Sequence, residues 1–238
     1  MSGAALALEL AGVSSGYGEA LVIRDIALAL APAQIFAILG KNGMGKSTLL
    51  KTIMGYLPVA QGAIRIFGEA VAGIPTYRMA GRGIAYSPQE QALFQDLSVG
   101  DNLRLGLPEE TRFAREIERI GSFFPFIPER LRQRAGTLSG GEQKMLLVAR
   151  ALMARPRLML IDEISEGLQP SVVQKLAEVL RAERAASGVA MLLVEQNVRF
   201  ASAVADGYAV LKRGEIVDTG RIADPGADAK ITRELSSV

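Results

Sequence analysis

The sequence predicts an α/β fold in which a mostly parallel sheet carries a phosphate-binding loop. An antiparallel β part and an inserted α-helical lobe complete it. Three observations predict this. An apolar run, Ile35-Phe36-Ala37-Ile38-Leu39, enters the turn Gly40-Lys41-Asn42-Gly43-Met44-Gly45-Lys46-Ser47 and continues as a helical segment from Thr48 to Met54. A second apolar run, Leu158 to Ile161, ends in two adjacent acids, Asp162 and Glu163. From about Gln89 to Arg155 strand patterns stop and helical spacing takes over. With 238 residues the chain is long for one domain and short for two. One domain over 1–238 is expected, with 1–88 and 156–238 as core plus antiparallel part and 89–155 as the lobe.

In chain order, Leu6 to Leu10 alternates as a strand does, and Ser15-Gly16-Tyr17-Gly18 reads as a turn. The flat ring of Tyr17 suits stacking on a base, although a tyrosine in a turn is more often structural. Leu21 to Leu30 alternates again. The turn 40–47 fits G-x-x-x-x-G-K-[ST] at every position. Its glycines let backbone N–H groups converge on phosphate oxygens, and the following helix adds its dipole. Lys46 would reach the β- and γ-phosphates, and Ser47 would ligate Mg²⁺.

Ala63 to Phe67 and Gly83 to Ser87 read as strands. Gln89 follows where a core strand meets a polar loop, which in an open α/β sheet is the ligand crevice. In the helical stretch, Phe123, Phe124 and Phe126 form a lobe core or a docking surface. Arg130, Arg132 and Arg134 read as a solvated helix face. Leu138-Ser139-Gly140-Gly141-Glu142 opens a helix. Ser139 and Glu142 have capping-box spacing, and the two glycines leave N–H groups bare, so both a cap and a second phosphate site are open. Asp162 and Glu163 are costly to bury without a partner. One can hold Mg²⁺ and the other can polarise an attacking water. After Pro170 a helix runs to about Ala186. Val189 to Val194 is a buried strand ending in Glu195-Gln196-Asn197, and Tyr208 to Val217 reads as a hairpin around Lys212-Arg213-Gly214.

Composition narrows the chemistry. There is no Cys and no His, which removes disulfides, thiolate metal sites and imidazole catalysis. Lys plus Arg is 27 against 25 for Asp plus Glu, and aromatics are 5%, so no nucleic-acid partner is indicated. The first ten residues lack the basic start of a secretion signal. The longest uncharged run, Ile26 to Gly40, is too short to span a bilayer. A cytoplasmic chain is expected.

Taken together, the phosphate loop, Leu138-Ser139-Gly140-Gly141-Glu142-Gln143 and Asp162-Glu163 make the chain resemble the ATP-binding-cassette (ABC) ATPases from about Leu8 to Gly220. The resemblance implies a P-loop NTPase with a RecA-like core that hydrolyses ATP as a dimer. It implies nucleotide contacts from Tyr17, Gly40, Lys41, Asn42, Gly43, Met44, Gly45, Lys46, Ser47, Thr48 and Gln89. Ser47, Gln89 and Asp162 would serve Mg²⁺, and Glu163, Lys46 and Gln196 would be catalytic. Leu138, Ser139, Gly140, Gly141 and Glu142 would act on nucleotide held by the partner, and Ser165 to Gln169 would cross to that partner.

Leu193 to Asn197 is similar to the ATPase subunits of branched-chain amino acid importers, and Ser165 to Pro170 to those of urea/amide importers. Such machines imply two integral-membrane permease subunits and a second, different ATPase or a homodimer. They also imply an external solute-binding protein reached indirectly, and a seat on the inner face of the plasma membrane. The wider family has His where Gln196 stands, Pro at Ile164 and Asp at Gln169. Gln cannot take up a proton at neutral pH, so a modest site paired with a His-bearing sister ATPase is expected. A soluble ATP-switched clamp is the alternative. An inert nucleotide-binding scaffold is disfavoured by Glu163.

Overall fold

The computed structural model describes residues 5–89 and 93–236. Its strands and helices, in order, are β1 (Leu8–Tyr17), β2 (Ala20–Leu30), β3 (Ile35–Leu39), α1 (Lys46–Ile53), β4 (Val59–Ile66), β5 (Glu69–Ala70) and β6 (Ile84–Ser87). There follow α2 (Val99–Arg104), α3 (Phe113–Phe123), α4 (Phe126–Glu129) and α5 (Gly140–Met153). The chain closes with β7 (Leu158–Asp162), α6 (Pro170–Ser187), β8 (Ala190–Glu195), α7 (Val198–Val204), β9 (Gly207–Lys212), β10 (Glu215–Arg221) and α8 (Ala227–Ser236).

Two sheets form. One is antiparallel, in the order β2-β1-β4-β5. The other, β10-β9-β3-β8-β7-β6, is parallel except for β10. Residues on its central strands alternate between two buried clusters. Ile35, Ala37, Leu39, Met159, Ile161, Met191 and Leu193 face a core shared with the helices after β6. Ile38, Leu158, Leu160, Leu192 and Val194 face a core shared with α1 and the antiparallel sheet. Both faces are dry, which is why these strands read as unbroken apolar runs.

The register brings the polar strand ends to one edge. Leu39 pairs with Glu195, Asp162 with Val194, and Ser87 with Ile161. The phosphate loop, the acid pair, Gln196 and Gln89 therefore all emerge from the carboxyl edge of one sheet, the usual ligand crevice of such sheets.

Three local readings change. The turn expected at Ser15 to Gly18 is strand as far as Tyr17, because Gly16 pairs with Leu21 and Tyr17 with Ala20, leaving only Gly18-Glu19 to turn. Arg130, Arg132 and Arg134 lie beyond α4 and not on a helix. Arg130 instead pairs with Glu142, and Arg134 with Asp96. The phenylalanines belong to the core: Phe124 is buried, and Phe123 and Phe126 pack against the same cluster. The tail forms α8, anchored by buried Ile231 and by Lys230 pairing with Asp218 of β10.

The β9–β10 hairpin turns at Arg213-Gly214, both with positive φ (48° and 85°). That is the turn type whose twist matches flanking strands. Gly214 N–H donates to Met44 O (3.1 Å), and Gly214 O accepts from Arg24 N–H (2.8 Å), so the turn joins the phosphate loop to β2. A Cβ there would lie 2.0 Å from Val22 O. Gly214→Ala should therefore destabilise the fold by about 2–4 kcal/mol, from the positive φ and the backbone clash together. Urea unfolding measures it, and a loss within about 0.5 kcal/mol would contradict this account.

Candidate functional site

β3 delivers the loop 40–45, and α1 begins at Lys46. Gly45 has φ 100°, and a Cβ there would meet Ile23 Cγ2 at 2.9 Å, so glycine is required where the loop turns into the helix. Lys46 is 2% exposed, and its ammonium folds back into the loop. It donates to Gly40 O (2.7 Å) and Lys41 O (2.8 Å) and pairs with Glu163 Oε1 at 2.8 Å.

Glu163 follows the last residue of β7 and has φ 44°. This non-glycine positive φ ends the strand and turns the two acids apart. Asp162 looks toward α1 instead. Ser47 Oγ donates to its Oδ1 (3.1 Å) and the Tyr86 hydroxyl to its Oδ2 (3.3 Å). Asp162 is 2% exposed and those donors are neutral. Burial therefore pushes its carboxyl above the usual range, helped by the charge of Glu163 and opposed by the two hydroxyls. Burial and the Asp162 charge likewise push the Tyr86 hydroxyl above an ordinary phenol.

Gln89 Nε2 donates to Glu163 Oε2 (3.0 Å) and to Glu166 Oε2 (2.7 Å). Lys46, Ser47, Gln89, Asp162 and Glu163 thus form one hydrogen-bonded cluster. Among the described residues, no hydrogen bond or ion pair joins residues 138–142 or the Gln196 side chain to it. Gln196 is exposed beyond β8. Tyr17 is 51% exposed and lines a groove with Lys51 and Tyr86. Thr48 is buried in the first turn of α1, and Leu138 is buried below Ser139.

At the start of α5 the capping box forms. Ser139 Oγ accepts from Glu142 N–H (3.3 Å), and Glu142 Oε2 accepts from Ser139 N–H (2.9 Å) and from its hydroxyl (2.8 Å). Arg130 adds a bond to Glu142 Oε1 at 2.8 Å. The Ser139 N–H and hydroxyl together hold the Glu142 carboxyl below the usual range. One turn on, Lys144 Nζ donates to Gln89 O (2.8 Å), linking α5 to the cluster.

Sequence reasoning passed over Tyr86, took Glu166 only as part of the loop 165–169, and saw Glu195 only as a polar strand end. Glu195 is a buried acid at the end of an apolar strand, the signal that singled out Asp162 and Glu163. Tyr86 and Glu166 carried no pattern that separates them from ordinary strand and loop residues.

The cluster combines an ammonium at a helix N-terminus, a hydroxyl beside a buried carboxylate, and a second carboxylate held by that ammonium and by Gln89. It can bind a polyphosphate and polarise a water near it.

Comparisons with known proteins agree. Residues 23–166 match the ABC transporter family. The high-affinity branched-chain amino acid transport ATP-binding protein BraG of Pseudomonas aeruginosa is 40% identical over 212 residues, covering 87% of this chain and 91% of that protein. The probable branched-chain amino acid transport ATP-binding protein LivF of Archaeoglobus fulgidus is 31% identical, covering 87% and 89%. Among solved structures, the ATP-binding subunit of an ABC transporter is 28% identical with TM-score 0.81, covering 96% of this chain and 97% of the other. A nucleotide-free ATP-binding cassette, 22% identical with TM-score 0.83 and covering 95% and 98%, shares the fold. This chain belongs to the ABC transporter family as an ATP-binding subunit and is an ATPase.

Lys46→Ala should strand a buried carboxylate and cost about 3–5 kcal/mol in urea unfolding. Adding Glu163→Gln should recover most of that loss, because the unpaired charge is gone. Equal stability of the single and double variants would show that the pair carries no such weight.

Proposed function

We propose that this ATPase drives a membrane importer for branched-chain amino acids or a related small solute such as urea or amides. The observation that carries the reading is the 40% identity to the Pseudomonas branched-chain amino acid transport protein along nearly the full length of both chains.

In the proposed reaction two ATPase subunits close on ATP. Backbone N–H groups within 41–45 and the N-terminus of α1 bind the phosphates, and Tyr17 stacks on the adenine. Lys46 is now held by Glu163 and two carbonyls; γ-phosphate oxygens compete for the same ammonium. Losing Lys46 frees the Glu163 carboxylate to accept a proton from the attacking water while Gln89 steadies its other oxygen. Ser139, Gly140 and Gly141 of the opposing subunit offer N–H groups to the γ-phosphate, and hydrolysis reopens the pair.

Mg²⁺ fits the donor set. Asp162 is a buried carboxylate that accepts from the Ser47 and Tyr86 hydroxyls. Ser47 and Asp162 would hold it, with Gln89 close by, and it would neutralise charge on the β- and γ-phosphates.

No helix among the described residues is long and apolar enough to cross a membrane. The chain would sit on the cytoplasmic face, against two permeases. The groove that Tyr17 lines, about 800 Å³ in all, supports that seat; it lies between the antiparallel side and α5, and Tyr56, Tyr77 and Leu105 line it as well. Those three side chains are 58%, 75% and 57% exposed, an apolar patch that suits a helix from a partner. Because Gln196 cannot carry a proton, the second ATPase is a different, His-bearing subunit.

Glu163→Gln should lower turnover about 10²- to 10⁴-fold and trap the ATP-bound dimer; unaltered turnover would remove Glu163 as base. The tagged Glu163→Gln chain with ATP and Mg²⁺ should capture two permeases and a His-bearing ATPase from solubilised membranes. Tyr77→Glu should lose that capture with ATP binding intact. Recovery of ribosomes, nucleic acid or only the chain itself would favour the soluble clamp. Brisk hydrolysis by the isolated chain, unchanged by Gln196→Ala, would end the asymmetric-site reading.

A further inference from the structure

Glu195 is the last residue of β8, and its side chain is 1% exposed. Nothing in the reaction above uses it. Both its oxygens accept from Ser165, Oε1 from the N–H (3.1 Å) and Oε2 from the hydroxyl (2.8 Å), and the Asn197 backbone N–H adds to the same carboxylate. Its own carbonyl accepts from Gly40 N–H at 3.1 Å. One residue therefore touches the first residue of the phosphate loop and the first residue of the loop 165–169. The next residue in the chain is Gln196.

A buried carboxylate is a poor choice for packing alone. Burial pushes the Glu195 carboxyl up to about 7, against the pull of the two Ser165 donors, and the charge of Glu163 raises it further. An apolar side chain would fill the same space without that cost. The carboxylate does what an apolar group cannot, which is to fix a loop residue through two donors at once.

We propose that Glu195 is a positioning residue: its carboxylate locks the loop 165–169 to the turn carrying Gln196, so that the partner-facing loop, Gln196 and the phosphate loop shift together when the subunits close. The proposal rests on the ATP-closed dimer described above.

The test uses four substitutions, Glu195→Ala, Glu195→Gln, Ser165→Ala and Ser165→Thr, each made in the Glu163→Gln chain and in the chain with Glu163 intact. Binding of a fluorescent ATP analogue gives nucleotide affinity. Light scattering with ATP and Mg²⁺ gives the dimer fraction in the Glu163→Gln series, and turnover per bound nucleotide is read in the other series. Glu195→Ala and Ser165→Ala should each lower dimer fraction and turnover about tenfold while nucleotide affinity stays within about twofold. The double Ala variant should be no worse than Glu195→Ala alone, since Ser165 has then already lost its acceptors. Ser165→Thr and Glu195→Gln, which keep a hydroxyl or an acceptor in place, should restore most of both.

Unchanged dimer fraction and turnover in Ser165→Ala, or multiplying effects in the double variant, would overturn the proposal. So would a loss of nucleotide affinity that parallels the loss of turnover. If the parent Glu163→Gln chain forms no dimer with ATP, only pairing of this chain with itself fails, as a different partner ATPase requires. The turnover of Ser165→Ala and its Thr rescue then decide whether Glu195 positions the loop.

Discussion

The ion pair between Lys46 and Glu163 is the contact on which the site depends. Both side chains are almost wholly buried, and they follow different strands of the parallel sheet, Lys46 opening α1 after β3 and Glu163 standing just past β7. Each would be expensive to bury alone. Together, with two loop carbonyls on the ammonium, they keep the phosphate loop in shape before any phosphate arrives. The same contact holds the carboxylate away from chemistry. In the proposed reaction a phosphate group that wins the ammonium would both complete the binding site and release the carboxylate proposed as base, making binding and activation one event.

Around that pair the sheet acts as an alignment device. Four parallel strands deliver their polar ends to one edge because their apolar residues leave no other register that keeps both faces dry. The site's precision therefore comes from residues far from it, such as Ile161, Leu193 and Ile38, whose burial sets where Asp162, Glu195 and Gly40 emerge. α5 reaches the same edge through one long side chain, Lys144, on the carbonyl of Gln89. A rotation of the helices after β6 would register first at that bond.

Much of this was legible beforehand. The strand before the phosphate loop, the strand before Asp162, the capping box at Ser139 and the stop of α6 at Gly188 all fall where apolar periodicity and cap chemistry put them. Tyr17 did not, because a glycine-rich stretch reads as a turn whether or not a partner strand pairs with it. Arg130, Arg132 and Arg134 have helix-compatible spacing, yet the backbone after α4 is fixed by Val99 and Gly100 N–H groups bonding to the carbonyls of Gln133 and Leu131, a long-range contact no local pattern reports. Glu195 was visible as a polar strand end, but its partner lies 30 residues away in a loop. Side-chain pairing across distant segments is the part of the site that spacing cannot supply.

The strand order has a consequence for synthesis. β3 ends at Leu39, and the strands on either side of it begin at Ala190 and Gly207. A ribosome emits the phosphate loop early and its flanking strands almost last. For most of translation the most apolar strand end in the chain has no neighbour, while β1, β2 and β4 can already pair among themselves. Non-local pairing of this kind is slow and leaves unpaired edges exposed. Of the pieces that touch the phosphate loop, the β9–β10 hairpin is then the last to be made, and its Gly214 N–H closes on Met44 O.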